Sequence, residues 1–210
     1  MTIKGIICDF GGVLILNGDQ SARQKWATRL GMDTSELIHK IFYSDAANQA
    51  SIGRITENEL WEYYRKQYDL SQSDSNKFRE DFFSGDKLNI DLINFIIELP
   101  SMFKKAILSN AWLSARRLFI ENFHFNDVFD LMVISAEEGI AKPDDEIYYR
   151  TAQRLGLNTW ELVFIDDMLV NAQAAAKVNM AAIHFQDTAS TIRQITTLLN
   201  SQGWHLTSPF

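Results

Sequence analysis

Short, nearly uninterrupted apolar runs alternate with longer segments of helical spacing along most of the chain. The apolar runs lie at residues 3–8, 105–108, 131–134, 162–165 and 181–185. The helical patterns between them lie at residues 90–99, 111–122, 144–155 and 172–178. Continuous apolar runs are typical of strands buried on both faces, and their alternation with helices is typical of parallel sheets. The pattern therefore predicts a doubly wound, Rossmann-like α/β core with helices on both faces of a parallel sheet.

The segment between residues 18 and 85 breaks this alternation. Its hydrophobic positions have helical spacing four times in succession, at residues 21–30, 35–43, 57–68 and 73–83. Thr56 and Glu59 form a capping-box pattern at the start of the third of these helices. We therefore predict a small all-helical cap at residues 17–85, inserted after the first strand of a core that comprises residues 1–16 and 86–210.

Signals at helix ends refine these elements. Gly31 and Gly156 each follow a helical pattern, where glycine accommodates the left-handed conformation that ends many helices. Asp33 and Ser73 are the expected N-caps of two cap helices. Pro143 is expected to open the helix at 144–155, because a missing N–H costs nothing at the first helical position. The residues after 200 are expected to form a surface segment that packs back onto the core.

Composition narrows the class of protein. The chain has 210 residues and a net charge of −7 without a dense Lys/Arg stretch, which excludes the basic surface typical of nucleic-acid binding. No apolar run approaches the roughly 18 residues that a membrane span requires. The single cysteine, Cys8, fits a reducing compartment, and the first apolar run is too short for a signal peptide. The expected location is therefore cytoplasmic.

Four of the predicted strands end in, or lead into, residues that could carry chemistry. These residues are Asp9, Ser109, Asn110, Lys142, Asp166 and Asp167. Each alone has an ordinary explanation, as a cap, a residue at a helix start or a solvated lysine. Ligands of doubly wound sheets, however, bind at the carboxyl ends of the strands, near the point where the strand order reverses. We therefore expect the six residues to converge on one site.

The expected set suits phosphoryl transfer. Clustered carboxylates repel one another unless a cation neutralises them, and Mg2+ is the usual hard ion with oxygen ligands. An acidic protein that binds a phosphate ester needs such local positive charge. One aspartate can then attack phosphorus and form an aspartyl-phosphate that water hydrolyses. A hydroxyl and an ammonium group can hold the remaining phosphate oxygens.

In sequence order, these residues resemble the four motifs of the haloacid dehalogenase-like (HAD) hydrolase superfamily. The resemblance rests on residues 9–14 (DFGGVL), 108–110 (LSN), 142–148 (KPDDEIY) and 164–175 (FIDD, then Asn171 and two alanines). It covers nearly the whole predicted core. The superfamily places its smaller type of cap directly after the first motif, where the helical insert lies here.

The resemblance implies a metal site. Asp9 would be both the nucleophile and a Mg2+ ligand, together with the backbone carbonyl of Gly11 and the carboxylate of Asp167. Asp166 and Asn171 would hold these ligands in position without binding the metal themselves. The implied cofactor is Mg2+.

The resemblance also implies how phosphate is held. Ser109 and Asn110 would bind it, and Lys142 would pair with both the nucleophile and the phosphate. The implied partner is a small phosphorylated metabolite, hydrolysed by a phosphoric monoester hydrolase.

Gly11 departs from the motif of the common phosphatases in this superfamily. They carry a second Asp at this position, which protonates the leaving group, and proton transfer of this kind contributes about 10²–10⁴-fold to rate. An active phosphatase without it would favour easy leaving groups, such as those of sugar 1-phosphates or acyl phosphates. Similar relatives with glycine at this position hydrolyse a hexose 1-phosphate.

Two alternatives stay open. A metal-independent 2-haloacid dehalogenase needs no leaving-group acid, because halide departs unaided, but the pair Asp166–Asp167 argues against it. A catalytically impaired binding or regulatory protein would keep the fold without turnover. The apolar residues Met168 and Leu169 after the acidic pair favour this second alternative, whereas the joint presence of the four motifs argues against it.

The cap is expected to contact the part of the substrate beyond the phosphate. Its candidates for that contact are Asn17, Tyr43 and Arg54, and its other aromatic residues fall at helical spacing that is typical of a cap core. Trp112 follows Asn110 closely, so it either borders the phosphate pocket or packs under the loop. The sequence does not identify the substrate.

Overall fold

The computed structural model describes residues 2–206, and a five-stranded parallel sheet forms its centre. The strands of the chain are β1 (Gly5–Cys8), β2 (Ile15–Asn17), β3 (Asp86–Leu88), β4 (Lys104–Ser109), β5 (Leu131–Ile134), β6 (Leu162–Asp166) and β7 (Ala181–His184). The sheet has the order β5-β4-β1-β6-β7, and every pairing in it is parallel. The chain therefore adds strands first on one side of β1 and then on the other, which makes the carboxyl end of β1 the point where the order reverses.

Eleven α-helices lie within residues 2–206. They are α1 (Ser21–Arg29), α2 (Thr34–Tyr43), α3 (Asp45–Ser51), α4 (Glu57–Gln67), α5 (Gln72–Phe83), α6 (Ile90–Glu98), α7 (Ala115–Arg117), α8 (Ser135–Glu138), α9 (Asp145–Leu155), α10 (Leu169–Lys177) and α11 (Thr188–Asn200). None of them is long and apolar enough to cross a membrane.

Two apolar clusters cover the two faces of the sheet. One contains buried residues of α6 and α11, and the other contains buried residues of α9 and α10. Successive residues of β1 alternate between them, with Ile6 and Cys8 in the first cluster and Ile7 in the second. Because every side chain of β1 is buried, an uninterrupted apolar run is what this position requires. The predicted doubly wound α/β fold is confirmed.

The helices α1 to α5 pack around a third apolar cluster of their own, which makes them a cap beside the core. Its largest fully buried side chains are Tyr64, Phe78 and Phe82. The sequence pattern predicted four of the five helices and missed α3. That helix is short and rich in alanine and polar residues, so it carries little hydrophobic periodicity, although Ser44 caps it by accepting a hydrogen bond from the Ala47 N–H at 3.1 Å.

The chain enters and leaves the cap through one antiparallel strand pair, β2 and β3. Beyond this pair the two segments stay in contact, since the Asp19 N–H donates to the Gly85 carbonyl at 3.0 Å. A Cβ on Gly18 would lie 2.3 Å from the Gly85 carbonyl oxygen, and one on Gly85 would lie 1.8 Å from the Asp19 oxygen. The two glycines are therefore required by the close approach of the backbones. Neither three-residue strand is long enough to be recognised from its pattern.

Arg23 of α1 joins the cap to both linker strands. It is buried, and its guanidinium holds both carboxylate oxygens of Asp86 at 2.8 and 2.7 Å. It also donates to the Phe82 carbonyl at 2.6 Å and to Oδ1 of Asn17 at 2.8 Å. We call these four residues the linker clamp.

The signals at helix ends were partly right. The capping box at Thr56, the N-cap Asp33 and the left-handed Gly31 and Gly156 are confirmed. Ser73 was a wrong choice of N-cap, because the Ser71 hydroxyl accepts from the Asp74 N–H at 3.0 Å.

Pro143 does not open α9, as had been expected. It follows a cis peptide bond in a turn, and Asp144 is the N-cap because its side chain accepts from the Glu146 N–H at 2.9 Å. The predicted helix at 111–122 is shorter and divided, with α7 followed by a π-helical turn at Leu118–Asn122. The C-terminal segment packs back as expected, with the Trp204 indole N–H 3.2 Å from the Ile3 carbonyl oxygen. Residues 207–210 of that segment lie outside the described range.

Candidate active site

The carboxyl ends of β1, β4 and β6 bring the predicted chemical residues to one edge of the sheet. Asp9 follows β1, Ser109 ends β4, and Asp166 ends β6 with Asp167 directly after it. Lys142 reaches the same place from the loop before α9. This edge surrounds the point where the strand order reverses.

Three carboxylates form a compact cluster. Asp9, Asp166 and Asp167 each offer an oxygen atom, and these atoms all lie within 4.8 Å of one another. Gly12 makes room for the cluster: its φ is +74°, and a Cβ there would lie 2.2 Å from Oδ2 of Asp167. A glycine is needed at this position both for the left-handed backbone and for the approach of Asp167.

Lys142 is the buried counter-charge of the cluster. Its ammonium nitrogen lies 2.9 Å from Oδ1 of Asp9 and 2.7 Å from Oδ2 of Asp166. Burial lowers the pKa of Lys142, but the two carboxylates outweigh burial and hold its pKa above the ordinary value. Lys142 is therefore charged at neutral pH.

One ammonium cannot neutralise three carboxylates. Burial raises the pKa of Asp9 to about 8, because Lys142 opposes this effect only in part and Asp166 and Asp167 add to it. The pKa of Asp167 is raised for the same reasons, by burial first and by Asp166 second. Hard carboxylate oxygens and excess negative charge together fit a divalent cation such as Mg2+.

Asp166 is held more tightly than the other two carboxylates. It accepts from Nδ2 of Asn171 at 3.1 and 3.2 Å, from the Met168 N–H at 2.8 Å and from Lys142. Asp167, by contrast, is only half-buried, and His184 Nε2 lies 3.0 Å from its backbone oxygen rather than its side chain. The carboxylate of Asp167 is thus the freer of the pair.

The two residues expected to bind phosphate are used differently. The Ser109 side chain is buried at the end of β4, and within residues 2–206 no hydrogen bond of its hydroxyl is found. The Asn110 side chain, in contrast, donates to the Lys142 carbonyl and accepts from the Lys142 N–H, both at 2.8 Å. The amide of Asn110 thus fixes the backbone that carries Lys142, and its contact with phosphate stays a prediction.

The three cap candidates also differ. Tyr43 lies near the carboxylates: its hydroxyl is 3.8 Å from Sδ of Met168, and burial followed by Asp167, Asp9 and Asp166 raises its pKa. Asn17 belongs to the linker clamp, where its side chain accepts from Arg23, so its predicted substrate contact is not supported. Arg54 is exposed and lies 3.4 Å from Gln49 Oε1, without a contact to the carboxylates.

Two contacts between core and cap were not predicted. Ser135, at the end of β5, accepts from the Ala111 N–H at 3.0 Å and donates to the Ser51 carbonyl of the cap at 2.5 Å. Close to it, a Cβ on Gly53 would lie 2.3 Å from the Ala136 oxygen. In the sequence, only the small size of Ser135 and Gly53 indicated that another segment could approach them closely. Size alone does not indicate which segment that is.

Trp112 packs against the cap rather than under its own loop. Its ring lies against the cap cluster, 6.3 Å from the ring of Phe42 in a stacked arrangement and 6.0 Å from the ring of Trp61. The loop that follows Ser109 is therefore anchored in the cap, and a contact of Trp112 with the phosphate pocket stays a prediction.

Comparisons with known proteins agree with this geometry. The family model for haloacid dehalogenase-like hydrolases matches residues 3–179. An uncharacterized protein of Dictyostelium discoideum is 31% identical over 144 residues, which are 67% of this chain and 62% of that protein, so the chain spans less than two thirds of this relative. A D-ribitol-5-phosphate phosphatase of Bacteroides thetaiotaomicron is 23% identical over 95% of this chain and 100% of that protein.

A crystal structure has the same fold. It is a HAD family enzyme from Bacteroides thetaiotaomicron in complex with magnesium and inorganic phosphate, with a TM-score of 0.73 and 23% identity. The superposition covers 88% of this chain and 94% of that chain.

Proposed function

The chain belongs to the haloacid dehalogenase-like hydrolase family, and we propose that it is a Mg2+-dependent phosphatase that attacks a small phosphate ester with Asp9. One observation carries the proposal: the carboxylate of Asp9 lies within a cluster of three carboxylates and is bound to a buried lysine. A purely structural ion pair would not need two additional carboxylates, whose repulsion must be relieved by a further cation or by protonation. The phosphatase relative and the magnesium and phosphate complex of the related structure support the same reaction.

The contacts of Asp9 prepare one oxygen for attack. Oδ1 accepts from the Lys142 ammonium at 2.9 Å and from the Phe10 N–H at 2.6 Å, which fixes the plane of the carboxylate. Oδ2 has no hydrogen-bond partner within residues 2–206, so it is the oxygen that attacks phosphorus. In the proposed reaction the Asp9 O–P bond forms as the ester P–O bond breaks, and the departing oxygen takes a proton from water. Water then attacks the aspartyl-phosphate, releases inorganic phosphate and a proton, and restores Asp9.

Other residues of the chain hold the phosphate and the cation. The free hydroxyl of Ser109 and the charged Lys142 would bind phosphate oxygens as the negative charge shifts during transfer. Asp9, Asp167 and the carbonyl of Gly11 would hold Mg2+, with Asp166 and Asn171 behind them. Bound Mg2+ supplies the positive charge that lets an anionic nucleophile approach an anionic ester.

Gly11 limits the leaving group in this proposal. Because no acid lies at that position, the enzyme would favour esters whose oxygen departs with little protonation, and sugar 1-phosphates and acyl phosphates are the classes predicted from the sequence. The D-ribitol-5-phosphate phosphatase is named for an ordinary alkyl phosphate, so the relatives leave the leaving group open.

Phosphate release from a panel of phosphorylated metabolites, with Mg2+ and with EDTA, tests the proposal. Asp9→Asn keeps the size of the side chain and removes the nucleophile, and we expect it to abolish Mg2+-dependent release. Asp91→Asn, at an exposed position in the first turn of α6, is the matched control and should retain activity. Equal release by the native protein and Asp9→Asn would contradict the proposal and favour a binding protein, whereas metal-independent chloride release from 2-chloroalkanoates would favour a dehalogenase.

A further inference from the structure

One side chain of the cap and one of the core meet beside the three carboxylates. Tyr43, the last residue of α2, extends its hydroxyl to within 3.8 Å of Sδ of Met168, the residue after the acidic pair. The three carboxylates lie close enough to Tyr43 to raise its pKa, after the effect of burial. Tyr43 and Met168 therefore face each other at the entrance of the site.

The core side of this entrance is apolar and exposed. Met168, Leu169 and Val170 are consecutive, and their exposed fractions are 38%, 52% and 49%. They lie at the start of α10, where Met168 is the N-cap and makes no side-chain hydrogen bond to the helix. A Ser, Thr, Asp or Asn at this position would provide that hydrogen bond and would also be more soluble. Three exposed apolar residues in place of a cap are unusual unless they contact something apolar.

The cap side of the entrance is aromatic. Phe42 precedes Tyr43, is 38% exposed, and stacks on Trp112 from the loop that carries Ser109. Leu113, next along that loop, is 48% exposed. Exposed apolar groups thus flank Tyr43 on the cap and Met168 on the core in sequence, and a third, Leu113, follows Trp112.

The polar groups at the entrance are few: the Tyr43 hydroxyl and the ring of His39, which lies 5.4 Å from the ring of Tyr43. Lys142, the cation at the carboxylates, is buried between Asp9 and Asp166, so it can serve the phosphate but not the group beyond it. A sugar would place several hydroxyl groups against Tyr43, Phe42 and Met168, and hydroxyls that lose water without gaining hydrogen bonds weaken binding. The surface therefore suits an apolar group better than a polyol.

Gly11 restricts the leaving group, just as the apolar surface restricts the shape and polarity of the substrate. Without an acid at that position the ester oxygen must leave as a weak base, and a phenol, with a pKa near that of tyrosine at about 10, satisfies this far better than an alkyl alcohol. An aromatic leaving group would also stack on Tyr43 and Phe42. We propose that the entrance formed by Phe42, Tyr43, Trp112 and Met168 selects aryl phosphate esters with an apolar aromatic group; this inference rests on the proposed phosphatase function.

A series of 4-alkylphenyl phosphates separates apolar contact from leaving-group chemistry. Phenyl, 4-ethylphenyl and 4-butylphenyl phosphate have nearly the same leaving-group pKa, so a change in kcat/KM along the series reports contact of the alkyl chain. We expect kcat/KM to rise about tenfold or more from phenyl to 4-butylphenyl phosphate, because each fully buried methylene is worth up to about fourfold. Glucose 1-phosphate should be a poorer substrate than any of the three.

Two variants test whether Met168 and Tyr43 contact the alkyl chain of the substrate. Met168→Ser and Tyr43→Ser should bring the ratio of kcat/KM for 4-butylphenyl to phenyl phosphate close to one, and this internal ratio is independent of any general loss of activity. Met102→Ser is the matched control, because Met102 is 75% exposed in the turn before β4, at the opposite edge of the sheet, and it should leave the ratio unchanged.

The outcomes distinguish the two proposals. Mg2+-dependent release with a flat alkyl series, or a preference for glucose 1-phosphate, overturns the aryl inference and leaves the phosphatase intact. A ratio that Met168→Ser and Tyr43→Ser do not change also overturns it and indicates that the apolar residues serve another contact, such as a protein partner. No Mg2+-dependent release from any ester overturns both proposals.

Discussion

At the scale of single residues, the adjacent glycines 11 and 12 have opposite reasons to be glycine. Gly12 has a positive φ, and a side chain there would collide with Asp167, so geometry requires it. Gly11 has an ordinary φ, and a Cβ would meet nothing within 4 Å. The sequence could identify both as part of a tight turn, but it could not separate a required glycine from a replaceable one, because that difference lies in contacts with residues far along the chain.

Gly11→Asp is therefore expected to add a proton donor without disturbing the fold. Activity on alkyl phosphates, whose leaving groups need protonation, should rise by about 10²-fold or more, while activity on aryl phosphates should change little. Steady-state kinetics with an alkyl and an aryl ester measure this difference.

Gly11→Asn is the control for that experiment, since it fills the same space and cannot transfer a proton. A similar gain from Asn and Asp would show that the added side chain acts by binding rather than by acid catalysis. No gain from Asp would mean that the protonation step does not limit this enzyme.

At the scale of elements, the strands at the linker clamp are the ones that hydrophobic periodicity did not predict. The sequence predicted most of the helices and the five strands of the parallel sheet, because the residues of a buried element form a regular apolar pattern. The strands β2 and β3 show no such spacing, because each has only three residues; Leu16 and Leu88 pack against the core, and Arg23 holds the polar end of β3. Burial raises the pKa of Asp86, and Arg23 offsets this only in part, which indicates that the pair fixes geometry more than it adds stability.

Arg23→Ala should destabilise the protein by about 3 kcal/mol, because it leaves the half-buried Asp86 and the Phe82 carbonyl without the buried guanidinium. Arg29→Ala is a close control in the same helix: Arg29 also holds an aspartate, Asp74, with two hydrogen bonds, but it is exposed. We expect at most about 1 kcal/mol from that change. Urea unfolding followed by circular dichroism compares the two, and equal losses would contradict the proposed importance of the clamp.

At the scale of the whole molecule, the periodicity of the chain predicted the fold class, and the family match confirms that the chain is a HAD-like hydrolase. The carboxylate edge could be predicted because Asp9 and the pair Asp166–Asp167 directly follow predicted strands. The entrance could not, because Tyr43 and Met168 are 125 positions apart and meet only when the cap lies over the core. The proposed selection of substrate therefore depends on contacts between cap and core, which sequence patterns describe least.

Mg2+ should stabilise the whole protein in a pH-dependent way. Because the pKa of Asp9 rises from 3.8 to about 8 on folding, the metal-free folded state binds more protons than the unfolded state between these values, and its stability should fall as pH increases through this range. Mg2+ requires the charged carboxylates, so the rise in Tm that it causes should be larger at pH 8 than at pH 6.

Thermal unfolding with Mg2+ and with EDTA at the two pH values tests this linkage. Asp9→Asn removes the titrating group and should flatten the pH dependence of the metal-free protein. An equal effect of Mg2+ at both pH values in the native protein would contradict the assigned charge balance of the cluster.

The meeting of the two linkers at Gly18 and Gly85 has a consequence for how this molecule can change. Because the chain leaves the core and returns to it at one point, with the Asp19 nitrogen 3.0 Å from the Gly85 oxygen, a different cap joined at Gly18 and Gly85 would interrupt no strand of the five-stranded sheet. Such a cap would have to replace the contacts that Ser135 and Trp112 make with the present one. An insertion joined in this way is the part of the molecule whose replacement would give the same carboxylate edge a new substrate.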